Sequence, residues 1–281
     1  MRRRALVARN LLKAWLLLAV PALALGALGW ELGGYRLGVL FLGSVVLLGA
    51  ALYWYADRIA MGMVGARELL PGEAPALHSA VERLSALAGV SRPKLYLLLD
   101  GYPRALAAGR GAQGGAGLAV SSGLLGVATP AELEGIVAHE LAHLRHRDVL
   151  LQSGTATIAA FIVEASRLGG FMQRGLLFVL GPLAASLVHL LLSPKREFEA
   201  DRFAAEVCGS PHGIADGLLR LEGATGLVSF AASPATEPLY TVNPFAAEGL
   251  AALFDSHPPI GERVRRLRDL DPEWREKLRA A

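Results

Sequence analysis

Residues Thr129–Asp148 read TPAELEGIVAHELAHLRHRD, and this stretch decides how the chain is understood. It opens as a helix N-terminus. Thr129 suits an N-cap, Pro130 the first helical position, and Glu132, three residues after the cap, completes a capping box. Within it, Ile136–Asp148 sets three histidines, two acids and two arginines in thirteen residues of a chain that is 53% hydrophobic. Residues four apart share a helical face, so His139 and His143 offer two imidazoles to one cation, with Glu140 about 100° round the helix beside them. This is the H-E-x-x-H arrangement, in which two histidines bind a metal ion and the glutamate takes a proton from a water held there. Neutral imidazole suits Zn2+, and an open coordination position brings the pKa of bound water down towards about 7. The bland reading is a pair of core histidines. The apolar positions Ile136, Val137, Leu141 and Leu144 give the helix a buried side and leave the histidines at its edge, an arrangement that structural histidines do not need.

Such a metal needs a third protein ligand. His146 lies one turn beyond His143 on the same face, and angle alone does not dismiss it. The sequence lacks the glycine of H-E-x-x-H-x-x-G-x-x-H, so His146 is read as solvated or as support for the ligands. A better candidate lies in SPKREFEADRFAAEVCG (Ser193–Gly209), where Glu197, Asp201 and Ala204 or Ala205 share one face and Glu199 points away. Small residues around Asp201 allow close approach to the first helix. Glu197 then reaches the metal and Asp201 meets the free N–H of a ligand histidine. A solvated charged helix is the alternative.

Two apolar runs, Leu11–Trp30 and Leu37–Tyr55, are each long enough to cross a hydrocarbon core of about 30 Å. Arg2, Arg3, Arg4 and Arg9 before them and Arg58 and Arg67 after them predict a hairpin with both ends cytoplasmic. A cleaved signal peptide is the rival reading of the first run. A second hydrophobic pair, Val149–Val163 and Gly175–Ser193, reads as a membrane hairpin, a re-entrant pair or a buried pair. Glu164, Arg167 and Arg174 between its members argue against a far-side location. The divisions are therefore 1–56, a transmembrane hairpin; 57–148, the first part of a globular domain; 149–193, the second hydrophobic hairpin; and 194–281, the rest of the globular domain. In the globular parts, APALHSAVERLSALAG predicts a helix and KLYLLLD and GLAVSS predict strands. Gly223–Pro244 reads as a loop, and the chain ends in a basic amphipathic segment. A formal charge of +3, widely spread, excludes a nucleic-acid partner. Cys208 is the only cysteine, which excludes an intrachain disulfide and a thiolate cluster and leaves His and carboxylate for any metal.

Taken together, these segments resemble the HtpX-like membrane metalloproteases, relatives of the CAAX prenyl proteases. The resemblance covers nearly the whole chain. It includes both hydrophobic pairs, LHSAVERLSALAGVSRPKLYLL, GLAVSSGLL, the ELEGIVAHELAHLRHRD helix, REFEADRFA and HPPIGERVRRL. It implies a mainly α fold with a small β-sheet, in a multi-pass membrane protein carrying a gluzincin-type zinc metalloprotease domain. It implies one Zn2+ per chain on His139, His143 and Glu197, with Glu140 as catalytic base and Asp201 as supporting acid. It places the segment of His257 and Arg263 near the active site, with His257 steadying the oxyanion and Arg263 supporting the ligands. A plain helix entry at SHPPI is the other reading of His257. The implied activity is an endopeptidase in the cell inner membrane, its active site facing the cytoplasm. Its partners would be unfolded or damaged membrane proteins and the lipid bilayer. A prenyl-protein protease shares the motif but encloses its site in a larger helical chamber than four apolar segments supply. A non-catalytic sensor with structural zinc would close the coordination shell, whereas three ligands and an intact Glu140 leave room for water. PRALAAG (Pro103–Gly109) departs from the Asn-Ala-Phe-Ala-like stretch of the relatives, which bears on substrate preference and not on the metal.

Overall fold

A computed structural model describes residues 2–167, 173–224, 239–243, 256–271 and 273. The chain opens with α1 (Arg2–Trp54) and the short α2 (Ala56–Met63). Gly33 (φ −155°, ψ 23°) and Gly34 (φ 68°, ψ −163°) break α1, and the second of these conformations is open to glycine without strain. The break folds α1 back on itself. A Cβ on Gly29 would lie 2.7 Å from the Leu37 carbonyl oxygen and 3.0 Å from Gly38 Cα, so the two arms meet backbone to backbone. The arms show Leu16, Leu23, Val39, Leu47 and Leu48 outward. Ala22–Trp54, which includes this break, contains an 18-residue window of mean hydropathy 2.1 and by length and composition is apolar enough to enter a membrane.

Strands β1 (Arg67–Glu68), β2 (Lys94–Leu98), β3 (Ala105–Gly109) and β4 (Ala116–Ser121) form one sheet in the order β1-β2-β4-β3. β2 and β4 run parallel and the outer pairs antiparallel. Side chains alternate between two covered faces. Leu95, Leu97, Ala107, Leu118 and Val120 enter the main core, while Tyr96, Leu98, Leu106 and Ala119 pack with Ala60 and Met61 of α2. Burial on both faces explains why KLYLLL is apolar without alternation. The sequence reading did not anticipate β1 or β3. Two residues show no period, and four of the five residues of β3 are Ala or Gly, which are weak strand formers.

The remaining helices are α3 (Pro75–Ala88), α4 (Ser122–Val127), α5 (Pro130–His146), α6 (Val149–Arg167), α7 (Gln173–Leu191), α8 (Lys195–Cys208), α9 (His212–Ala224) and α10 (Ile260–Arg268). α5 runs through the centre, against α3, α8, α9 and β3. α6 and α7 pack together through Ala159, Ala160 and Val163 against Ala184, Ala185 and Val188. Phe178, Leu183 and Leu190 of α7 remain exposed. Of the loop expected over Gly223–Pro244, Gly223 and Ala224 end α9 and Leu239–Asn243 are described; the rest lies outside the described residues, as does most of the amphipathic terminus beyond Asp271.

The start of α5 is built as its sequence predicts. Thr129 N donates to Glu132 Oε2 at 2.8 Å, and Glu132 N to Thr129 Oγ1 at 3.4 Å. The same carboxylate clamps α9, because Arg220 Nε and Nη2 donate to Glu132 Oε2 and Oε1 at 2.7 and 2.8 Å. Gly135 faces the start of α9, where a Cβ would run into the Ile214 backbone nitrogen. The Arg220 bonds, against an opposing effect of burial and helped by Thr129, hold the Glu132 carboxyl below its ordinary pKa. Replacing Glu132 with Ala should lower stability by about 2 kcal/mol, since it removes half a capping box and leaves a guanidinium unpaired. Because the folded-state pKa is lowered, this stabilisation is present above the ordinary carboxylate range and disappears as pH falls through the folded value. The melting temperatures of wild type and Glu132→Ala in detergent should therefore differ at neutral pH and converge in acid.

Candidate metal centre

α5 and α8 cross closely because Ala200 and Ala204 of α8 lie fully buried at the crossing. The crossing brings His139 Nε2 and His143 Nε2 to 3.2 Å from one another. Across from them, Glu197 Oε2 lies 3.4 Å from His139 Nε2 and Glu197 Oε1 lies 3.7 Å from His143 Nε2. Ligand atoms about 2.0–2.1 Å from a tetrahedral metal stand roughly 3.4 Å apart, and one ligand atom from each of these residues lies within 4.8 Å of the other two. The group His139, His143 and Glu197 is able to hold a metal ion, and all three residues are buried.

The far side of each ring is also held. His139 Nδ1 lies 2.9 Å from Asp201 Oδ1, and His143 Nδ1 lies 3.0 Å from Asp148 Oδ2. A carboxylate behind each imidazole fixes its tautomer and turns Nε2 toward the shared point. Asp201 is gripped in turn by the fully buried Arg263, whose Nε and Nη2 donate to Oδ2 and Oδ1 at 2.8 and 2.7 Å. Arg263 Nη1 donates to the Thr241 carbonyl at 2.8 Å, and Thr241 Oγ1 donates to Glu140 Oε1 at 2.6 Å. His257 Nε2 sits 3.8 Å from Glu197 Oε1. The structure thus gathers His139, Glu140, His143, Glu197, Asp201, His257 and Arg263 into one buried group.

Its charges test whether a metal fits. Neither oxygen of Glu197 receives an aligned hydrogen bond, although Arg196 Nε lies 3.2 Å from Oε1. Burial opposes ionisation of Glu197, yet the fields of His257, His143 and Arg196 hold its carboxyl well below the ordinary range. Burial also opposes a charge on His139, but Asp201 and Glu197, facing its two ring nitrogens, push its pKa up to about 9. Glu197, held ionised yet without an aligned hydrogen bond on either oxygen, is an acceptor that a divalent cation would satisfy. The donor set of two imidazoles and a carboxylate suits such an ion.

His146 is neither ligand nor solvated. It is buried, its ring meets Phe203 edge-on at 5.9 Å, and its carbonyl accepts from Asn10 Nδ2 at 3.3 Å. Sequence reasoning missed Asp148, Arg196 and Thr241. Asp148 carried a signal, because it follows the helix end at once. Arg147 takes a left-handed conformation (φ 57°), which ends α5 and turns Asp148 back toward His143. Thr241 carried none, standing 101 residues from Glu140 in a loop.

A helix presenting H-E-x-x-H to a glutamate on a second helix defines a metallopeptidase. Residues 71–271 match the model of peptidase family M48, and the chain belongs to that family. Among curated proteins it is 37% identical over 278 residues to the protease HtpX homolog of Pelotomaculum thermopropionicum, covering 92% of this chain and 98% of that protein. It is 38% identical to the protease HtpX homolog of Syntrophotalea carbinolica, covering 93% of this chain and 99% of that one. Among solved structures, the crystal structure of S. mikatae Ste24p is similar over 94% of this chain and 66% of that chain, with 16% identity and a TM-score of 0.46. Removing the carboxylate behind His143 (Asp148→Ala) should weaken metal binding about 10- to 100-fold. Competition with a chromogenic chelator measures the change.

Proposed function

We propose that the chain is a membrane-bound zinc endopeptidase that hydrolyses peptide bonds in unfolded or damaged membrane proteins on the cytoplasmic side of the cell membrane. The observation that carries this reading is the convergence of His139 Nε2, His143 Nε2 and the Glu197 carboxylate, with Glu140 beside them, in a chain of peptidase family M48. A bound zinc ion would polarise the scissile carbonyl and acidify the attacking water. His139, His143 and Glu197 would hold it. Asp201 and Asp148 keep both imidazoles aimed, and Arg263 keeps Asp201 aimed. Glu140, with Oε1 tied to Thr241, presents its other oxygen to the water, takes a proton and delivers it to the leaving amine. His257, beside Glu197, steadies the oxygen that gains charge. An extended substrate segment adds beside the sheet edge that adjoins α5.

Membrane placement is supported by the apolar exterior. α1 and α7 together expose Trp15, Leu23, Leu47, Phe178 and Leu190, more than the scattered hydrophobics of a water-soluble surface. The glycine break at Gly33–Gly34 fits a hairpin whose arginine-bearing ends, Arg2–Arg4 and Arg58, share the cytoplasmic side. Replacing Glu140 with Gln should leave one zinc per chain and abolish cleavage of casein and of an unfolded membrane protein. Metal analysis beside a gel-based digestion reads both, and full cleavage by that variant would remove Glu140 from the mechanism.

A further inference from the structure

The Thr241 hydroxyl touches two groups that are not hydrogen-bond donors to it when Glu140 is ionised. Its Oγ1 lies 2.6 Å from Glu140 Oε1 and 3.1 Å from the carbonyl oxygen of Ala105, in β3. A hydroxyl has one proton to give, and an ionised carboxylate and a carbonyl both only accept. The shorter contact is within the range of a charge-assisted O–H···O− bond. Thr241 is buried, and its carbonyl is fixed by Arg263, the guanidinium that also grips Asp201. The hydroxyl is thus anchored through the same residue that anchors a ligand histidine, so its position follows the metal centre.

We propose that Thr241 is a positioning residue for the base Glu140, holding one carboxylate oxygen so that the other faces the reacting water. This rests on the reading of Glu140 as base. While Glu140 is a carboxylate, Thr241 donates its proton to Oε1. The proton of the water is taken on Oε2, the oxygen turned away from Thr241, so Oε1 goes on accepting from the hydroxyl. No covalent bond of Thr241 breaks; the proton gained stays on Glu140 until the leaving amine takes it. The hydroxyl therefore keeps the base in one orientation across the whole cycle. Valine has the shape of threonine without the hydroxyl, while serine keeps the hydroxyl.

The test compares Thr241→Val and Thr241→Ser with the wild-type protein in detergent, at equal zinc content per chain, on a fluorogenic peptide. Val should lower kcat about 10-fold with KM within two-fold of wild type, and Ser should restore kcat to within about three-fold, the range of a single general-base alignment effect. Unchanged kcat in Val, an equal loss in Val and Ser, or a rise in KM alone would overturn the proposal. Where Val lowers the yield of folded protein, Thr241→Ala against Thr241→Ser reads the same difference. Glu140→Gln run alongside separates two failures. If it is inactive while Val is unchanged, only the role of Thr241 falls; if it is active, the reading of Glu140 falls first.

Discussion

The arrangement depends on a buried carboxylate, Glu197, that faces two imidazoles across the crossing of α5 and α8. An ion taken from water into the interior costs several kcal/mol unless opposite charge and hydrogen bonds compensate it. Here the compensation is divided among elements far apart in the chain: His139 and His143 on α5, Arg196 on α8, His257 before α10 and Arg263 within it. Each brings its charge only if its own element packs where it does. The electrostatics of the centre and the packing of the helices are one constraint, and a metal ion would satisfy the acceptor that hydrogen bonds leave unmet.

Local regularities explain what could be read from the sequence. The Thr129–Glu132 cap, the four-residue spacing of His139 and His143 and that of Glu197 and Asp201 are properties of single helices, and helical periodicity carries them intact into the fold. β2 and β4 were visible because burial on both faces selects an unbroken apolar run. β3 was not, because it is defined by antiparallel pairing to β4 and not by its own residues. His146 shows the limit of angle as a criterion. It does share the face of His143, but α5 is enclosed at that end by Phe203 and the amino-terminal arm, so a position expected in water is buried. Asp148 and Thr241 mark the two ways a functional residue escapes periodicity. One stands just past a left-handed helix end, and the other enters from a loop that only the tertiary fold brings to Glu140.

The apolar helices bear on the centre through its ends. Only Arg147 and Asp148 separate α5 from α6, and Leu192–Pro194 separate α7 from α8, so the donors of α5 and α8 stand at the two roots of the α6–α7 pair. α6 keeps a polar interior side, with Gln152, Ser153 and Thr155 buried, and Ser153 Oγ accepts from the backbone of Gly109 at the end of β3. The first arm of α1 closes the same region from outside. Asn10 meets the last-turn carbonyl of His146, and Lys13 Nζ donates to the Leu191 carbonyl at 2.7 Å. A cation at the C-terminus of α7 also suits the helix dipole. α8 is itself packed on α5, α9 and α10, so the end of α7 is tethered through three residues to a helix that the globular part already holds. An ion bound by His139, His143 and Glu197 would add a further tie between α5 and α8, and so between the two roots of the apolar pair, closing the loop that leaves the globular part at Asp148 and returns at Lys195.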